Sequence, residues 1–355
     1  MSVVSATEED AVIGCLIGTA VGDAIGLPAE GLPKQRLGKM YAAPHRHRFV
    51  FGRGMTSDDT EHTCMVAQSL IVSGGETESF TRSLARQLRL WLLMVPAGAG
   101  LATLKACLRL LVGFSPHKSG VFSAGNGPAM RSALIGVCFG HDQPKMRALV
   151  RASTRITHTD PKAEYGALAV ALAAYLSVQG ASPEDYAGSL AKLLGDDGRE
   201  LLALVEKAVA SASAGKSTES FAQEIGQGKG VSGYVYATVP VVLHAWFRSP
   251  RDYRTAVSEI VSCGGDTDTT AAILGGIVGA GVGPAGIPKE WIRGLMERPR
   301  SIAWMKRLGE RLAEVANDGV PGKPIFVCLP CVLARNVFFL IVVLLHGFRR
   351  LLPPY

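Results

Sequence analysis

Glycine recurs every fourth residue in GCLIGTAVGDAIGLPAE, at Gly14, Gly18, Gly22 and Gly26. On a helix, that spacing lines one face with hydrogen instead of side chain, so a second backbone can approach closely. Helix packing accounts for the glycines. It does not account for Asp23, within the small-residue face, or for Glu30, just past the helix end, because both acids need a polar pocket or solvent.

The rest of the chain also reads as helix. Apolar residues keep helical period over 11–22, 60–73, 79–94, 101–111, 163–178, 183–194, 198–212, 235–247, 255–261 and 269–279. Ser182 before Pro183 supplies an N-cap with proline in the first turn. No period-two strand series and no fixed repeat emerges. At 355 residues, 48% hydrophobic and 19% charged, the chain is expected to be compact and all-α. One domain over residues 8–320 fits, followed by a tail over 321–355.

The net charge of +7 favours anionic partners in general. Its tightest clusters, PHRHRF at 44–49 and FRR at 348–350, lack an aromatic-interleaved stripe and read as solvated surface, so no dedicated nucleic-acid binding is expected. Seven cysteines are scattered, and most, such as Cys15 and Cys138, lie in apolar helical contexts as buried thiols. Cys328 and Cys331 form a C-x-x-C with neither a second pair for zinc nor a βαβ pattern for redox chemistry. The N-terminus MSVVSATEED is unlike a secretory signal, and a reducing cytoplasm is the expected setting.

Two acidic clusters each open an apolar helix: TSDDT, with Ser57, Asp58 and Asp59, and DTDT, with Asp266, Asp268 and Thr269. Ordinary capping accounts for one acid at a helix start. Here adjacent or alternate acids occur twice, and the two clusters could converge on cations through oxygen ligands. Such ligands suit Mg²⁺ or Mn²⁺, while no Cys/His set suits zinc. From spacing alone, capping and cation binding both remain open.

These stretches, together with SAGNGPAMR, ITHTDPKAEYGA and GGDTDTTAAILGGIVGA, occur in an order and at intervals that resemble the ADP-ribosylglycohydrolase family from about Ala11 to Trp291. The resemblance implies a single compact orthogonal helical bundle with a binuclear Mg²⁺ or Mn²⁺ centre. Its ligands would be Ser57, Asp58, Asp59, Asp266, Asp268 and Thr269, with Ser57 standing where many members have threonine. Glu30 or Asp59 would be the acid/base group. The loop FSAGNGPAMR resembles a diphosphate cradle, with Gly125 and Gly127 admitting phosphate to backbone N–H groups and Ser123 and Asn126 donating from side chains. Ala124 replaces a tyrosine found in some relatives. Without the resemblance, this loop is a glycine-rich turn. His158 falls at a position near the bound ribose and diphosphate, and GQGKGVSGYV would border the cleft.

The implied activity is hydrolysis of ADP-ribose from an acceptor, a protein side chain or small molecule. A nucleotide-diphosphate phosphohydrolase and a non-catalytic ADP-ribose binder are the alternatives. The tail lies outside the resemblance. Its nine-residue apolar run, Val337–Leu345, is short of the ~20 residues that span a bilayer, and a longer span would bury Arg335 and Asn336. Packing on the domain or on a partner is expected, with peripheral membrane attachment through Arg349 and Arg350 as the second choice.

Overall fold

A computed structural model describes residues 7–41 and 45–353; Met1–Ala6 and Pro44, included in the readings above, lie outside the described residues. The first helices are α1 (Glu8–Gly26), α2 (Lys34–Met40), α3 (Asp58–Ser73), α4 (Thr77–Leu93), α5 (Leu101–Leu111) and α6 (Pro116–Ser119). The middle of the chain forms α7 (Ala133–Phe139), α8 (Gln143–Arg155), α9 (Pro161–Gln179), α10 (Pro183–Leu194), α11 (Arg199–Ser213) and α12 (Thr218–Glu224). It ends with α13 (Val235–Arg248), α14 (Tyr253–Ser262), α15 (Thr267–Val282), α16 (Lys289–Gly294), α17 (Ile302–Asp318) and α18 (Leu329–Arg349). No strand occurs among the described residues, only isolated bridges.

The glycine face of α1 meets α15. A Cβ at Gly14, Gly18, Gly22 or Gly26 would lie 2.2, 2.2, 2.0 or 2.2 Å from the carbonyl oxygens of Gly279, Gly275, Ala271 and Thr267. In return, a Cβ at Gly275 or Gly279 would lie 2.3 Å from the Gly18 or Gly14 oxygen. The pairing is antiparallel, so the end of α1 that carries Asp23 meets the start of α15 that carries Asp268. Both helices are buried along almost their whole length. Helices α9, α13 and α14 pack on α15, while α3 and α17 pack on α1.

The expected helices are present, several longer by a few residues at one or both ends. Helices α2, α6, α7, α8, α12, α16, α17 and α18 were not anticipated. In α17 the signal was available, since Trp304, Met305, Leu308, Leu312 and Val315 are buried at helical spacing behind a Ser301 cap. In α8 the buried residues are diluted by lysine and arginine. The five cysteines outside the C-x-x-C are free and buried. Cys328 and Cys331 differ from their expected lack of a role: they form a disulfide at the entry to α18.

Among the described residues, two helices are long and apolar enough to cross a membrane by length and composition, α1 with its following turn and α18. The first is wholly buried in the core, whereas α18 is buried along one stripe. It packs on the domain through Val332, Asn336, Phe339 and Val342.

Gly22→Val is expected to cost at least about 3 kcal/mol, the upper end of ordinary overpacking, because the new Cβ meets backbone that cannot rotate away. Gly188→Ala, at an exposed helical position with open space around it, is expected to gain about 0.5–1 kcal/mol. Urea unfolding midpoints measure both; a wild-type midpoint for Gly22→Val contradicts the packing.

Candidate active site

Helix α3 starts at Ser57, whose Oγ caps the Asp59 N–H at 3.3 Å and donates to Asp59 Oδ2 at 2.9 Å. Asp23 comes across from α1 to the same helix start. Its carboxylate accepts from the Ser57 N–H at 2.9 and 3.0 Å, the Thr60 N–H at 3.3 Å and the Thr60 hydroxyl at 2.6 Å. Orphan amides and the positive helix end satisfy this buried acid.

At the start of α15, Gly264 and Gly265 have φ of 73° and 82°, values costly for other residues. A Cβ on Gly265 would also lie 2.2 Å from the Val231 oxygen. This turn is clasped from both sides: Gly31 N–H donates to Gly265 O, Gly265 N–H to Leu32 O, and Asp266 N–H to Val231 O. The glycine-rich segment 226–233 is therefore a wall of the acid cluster, and no P-loop. Thr267 bonds to Gly26 O at 2.8 Å and ties the two helices. Thr269 donates to Asp59 Oδ2 at 3.2 Å, joining the two clusters.

The tightest acidic group is Asp23, Asp59 and Asp268, with one oxygen of each within 4.8 Å of the others. Asp23 was not an anticipated member, although its need for a polar pocket was visible. Its oxygens are occupied by α3, whereas Asp59 Oδ1 and Asp268 Oδ1 are buried without a hydrogen-bond partner among the described residues. Asp58 and Asp266 lie outside this triad, and Asp58 is half-buried.

Burial raises the Asp59 carboxyl well above the usual range, and Asp23, Asp58 and Asp266 raise it further. Asp268 is raised in the same way by burial, Glu30 and Asp266, and Asp58 by burial, Asp23 and Glu61. Burial pushes Asp23 up to about 7 despite its donors. Unpartnered oxygens and mutually repelling carboxyls form the donor set that a hard cation satisfies. The residues fit divalent ions.

Glu30 follows α1 in an exposed loop, with its carboxyl raised by desolvation and then by Asp266, and lowered by Arg350. Arg350, past the end of α18, donates to the Glu30 and Pro28 carbonyls at 2.6 and 2.9 Å. Arg335 of α18 reaches the other cluster. It donates to Thr56 O and Glu297 Oε1, each at 2.5 Å, while Glu297 Oε1 accepts from the Thr56 N–H at 2.7 Å. Both backbone groups of the residue preceding Ser57 are thus held by one ion pair. Glu61 opposes its own burial by pairing with Arg300 at 2.7 Å and Arg335 at 3.9 Å, which hold it below the usual range.

The loop from Ser123 to Gly127 lies over His158: a Cβ at Gly125 or Gly127 would be 3.1 or 3.2 Å from its ring. Burial and the nearby Arg131 guanidinium press His158 down to about 3, so the ring is neutral. Its Nδ1 lies 2.9 Å from Thr157 Oγ1, which accepts from Arg131 at 2.7 Å. A Thr157 hydroxyl donating to Nδ1 leaves the proton on Nε2, on the side of the loop. Asn126 links this loop to its surroundings. Its amide donates to Thr238 Oγ1 at 3.0 Å and Asp266 Oδ2 at 2.7 Å, and its N–H to Gly233 O. With its donors occupied, it fastens the loop to the acid cluster.

The family model for ADP-ribosylglycohydrolase matches residues 4–320. The chain is 27% identical to the ADP-ribosyl-dinitrogen reductase glycohydrolase of Rhodospirillum rubrum, over 80% of this chain and 89% of that one. It is 25% identical to an ADP-ribosylarginine hydrolase of Pseudomonas putida, over 88% and 79%. It is 30% identical to the ADP-ribosylhydrolase ARH3 of Mus musculus, over 49% and 53%. A solved ADP-ribosylglycohydrolase-related protein complex has a TM-score of 0.64 at 27% identity, covering 87% of this chain and 99% of that one.

The raised carboxyls give a signed pH dependence. A carboxyl whose pKa rises on folding, as Asp23 does from 3.8 to about 7, stabilises the fold fully below the unfolded value. That stability is lost as pH rises through the folded value. Without divalent cations, the thermal midpoint is expected to fall between about pH 4 and about pH 7, and saturating Mn²⁺ to flatten that slope. A flat cation-free profile contradicts the electrostatics described.

Proposed function

The chain belongs to the ADP-ribosylglycohydrolase family, and we propose that it cleaves the bond between ADP-ribose and an acceptor using two divalent cations, Mg²⁺ or Mn²⁺. The observation that carries this reading is the pair of buried, unpartnered oxygens on Asp59 and Asp268. Ser57, Asp58, Asp59, Asp266, Asp268 and Thr269 would hold the ions, and Asp23 would set the start of α3 so that Ser57 and Asp59 face them. Bound there, the ions supply positive charge that acidifies a water and offsets the repulsion among the acids. The catalytic unit is residues 8–320, and residues 321–355 are an appended segment. The names of two relatives, a dinitrogen reductase glycohydrolase and an arginine hydrolase, support a protein side chain as acceptor.

Glu30 is the acid/base residue in this scheme. Its raised carboxyl is shifted in the direction that suits proton transfer near neutrality. Asp59 is the competing candidate, with one oxygen tied to the Ser57 and Thr269 hydroxyls. The diphosphate would lie against Ser123, Gly125 and Gly127, where a neutral His158 offers its Nε2 proton without adding charge. Asn126 contributes by holding this loop at a set distance from Asp266.

The test is turnover of arginine- and serine-linked ADP-ribosyl peptides with Mg²⁺, Mn²⁺ or chelator. ADP-ribose is the expected product, and AMP or phosphate would favour a phosphohydrolase. Asp59→Asn and Asp268→Asn are each expected to lose more than the roughly 10–100-fold that outer-shell changes cost, with helical content retained. Glu30→Gln is expected to lose about 10²–10⁴-fold in kcat; full activity would transfer the acid/base role to Asp59.

A further inference from the structure

The outer face of α18 is apolar and uncovered. Val337, Phe338, Ile341, Leu344, Leu345 and Phe348 are exposed along it, and its mean hydropathy reaches 2.1 over an 18-residue window. The helix is not placed to cross a bilayer. Arg335 holds Thr56 and Glu297, Asn336 donates to Met94 O at 2.9 Å, and His346 meets Phe49 O at 2.6 Å. Crossing would break these bonds and bury an unpaired guanidinium. Whatever covers α18 therefore lies against its outer face while the inner face stays on the protein.

The surroundings indicate what that occupant is. A groove of about 780 Å³ beside the helix is lined by Arg53, Arg293 and Arg298 together with Met296, Cys331 and Phe338. The three arginines are exposed, whereas the acid in this groove, Glu297, is buried and paired with Arg335. Arg349 adds an exposed cation at the helix end. Arg350, expected to join it, is turned inward to the carbonyls of Pro28 and Glu30.

Backbone conformation adds a separate observation. Among the described residues, Phe51 and Val95 are the non-glycine residues with positive φ, 48° and 54°. Phe51 is fully exposed and Val95 about half exposed. Each follows closely on a residue that touches α18: Phe49 stacks on His346 at 4.5 Å, and Met94 is the carbonyl partner of Asn336. The left-handed region is costly for such side chains. Holding an apolar side chain in water adds a second cost, and that second cost is removed where the neighbouring phase is not water.

We propose that α18, with Phe51 and Val95 at its sides, is an in-plane anchor to an anionic lipid surface. The apolar face enters the acyl boundary while Arg53, Arg293, Arg298 and Arg349 meet the headgroups. Charge complementarity selects lipid over a second copy of this chain, since a two-fold contact through this face would bring two arginine rims together.

The test is co-sedimentation of the full chain with vesicles of phosphatidylcholine alone or with about a quarter phosphatidylserine, at low and high salt. Binding to the anionic vesicles at least about tenfold above the neutral ones, weakened by salt, is expected. Leu344→Glu with Phe348→Glu should abolish it, and Arg293→Glu with Arg298→Glu should reduce it, with the thermal midpoint and soluble-peptide hydrolysis unchanged. Absence of binding, or equal binding to both vesicle types, overturns the proposal. So does a concentration-dependent dimer that Leu344→Glu dissolves, which would assign the face to a second copy.

Discussion

Helices α1 and α15 touch backbone to backbone, and the candidate site takes its geometry from that contact. Carbonyl oxygens of one helix occupy the space where the other would carry Cβ atoms. Interlocked carbonyls and glycines fix the register residue by residue, because a slip would place a side chain against a carbonyl. The register brings Asp23 to the start of α15, and Asp23 in turn bonds to the start of α3. Two helix N-termini, each opened by acids, are thereby brought together, and Thr269 and Asp59 close the junction.

The electrostatics around that junction divide sharply. Glu61 and Glu297 lie at its edge and are matched by Arg300 and Arg335. Asp59 and Asp268 lie within it and have no basic partner among the described residues, although Arg300 and Arg335 reach Glu61 one turn along α3. Burying paired ions is tolerable, while burying unpaired carboxylates is not. A fold that pairs its peripheral acids with arginine and leaves its central acids unpaired suits the divalent cations proposed above. The arginine-matched acids also tie α18 to the start of α3, since Arg335 holds the residue before Ser57.

Much of this was legible in the sequence where function and local pattern coincide. The glycine spacing announced a close helix contact, and the doubled acid-threonine starts announced the two halves of the site. What remained hidden depends on partners distant in the chain. Nothing near Asp23 shows that its carboxylate will cap α3. Asn126 reads as a phosphate donor until Asp266 and Thr238, more than a hundred residues away, take its hydrogens. Arg335 reads as an obstacle to a membrane span until Glu297 and Thr56 are beside it. The apolar tail reads as a nine-residue run, whereas the fold extends it to a 21-residue helix whose one-sided burial depends on the surface beneath it.

The most direct test of the central claim is anomalous diffraction from crystals grown with Mn²⁺. Two peaks, roughly 3.5–4 Å apart as in two-metal sites, are expected among Ser57, Asp58, Asp59, Asp266, Asp268 and Thr269, with Asp23 still bonded to Ser57 and Thr60. A saturated crystal with no peak beside Asp59 and Asp268 would contradict it.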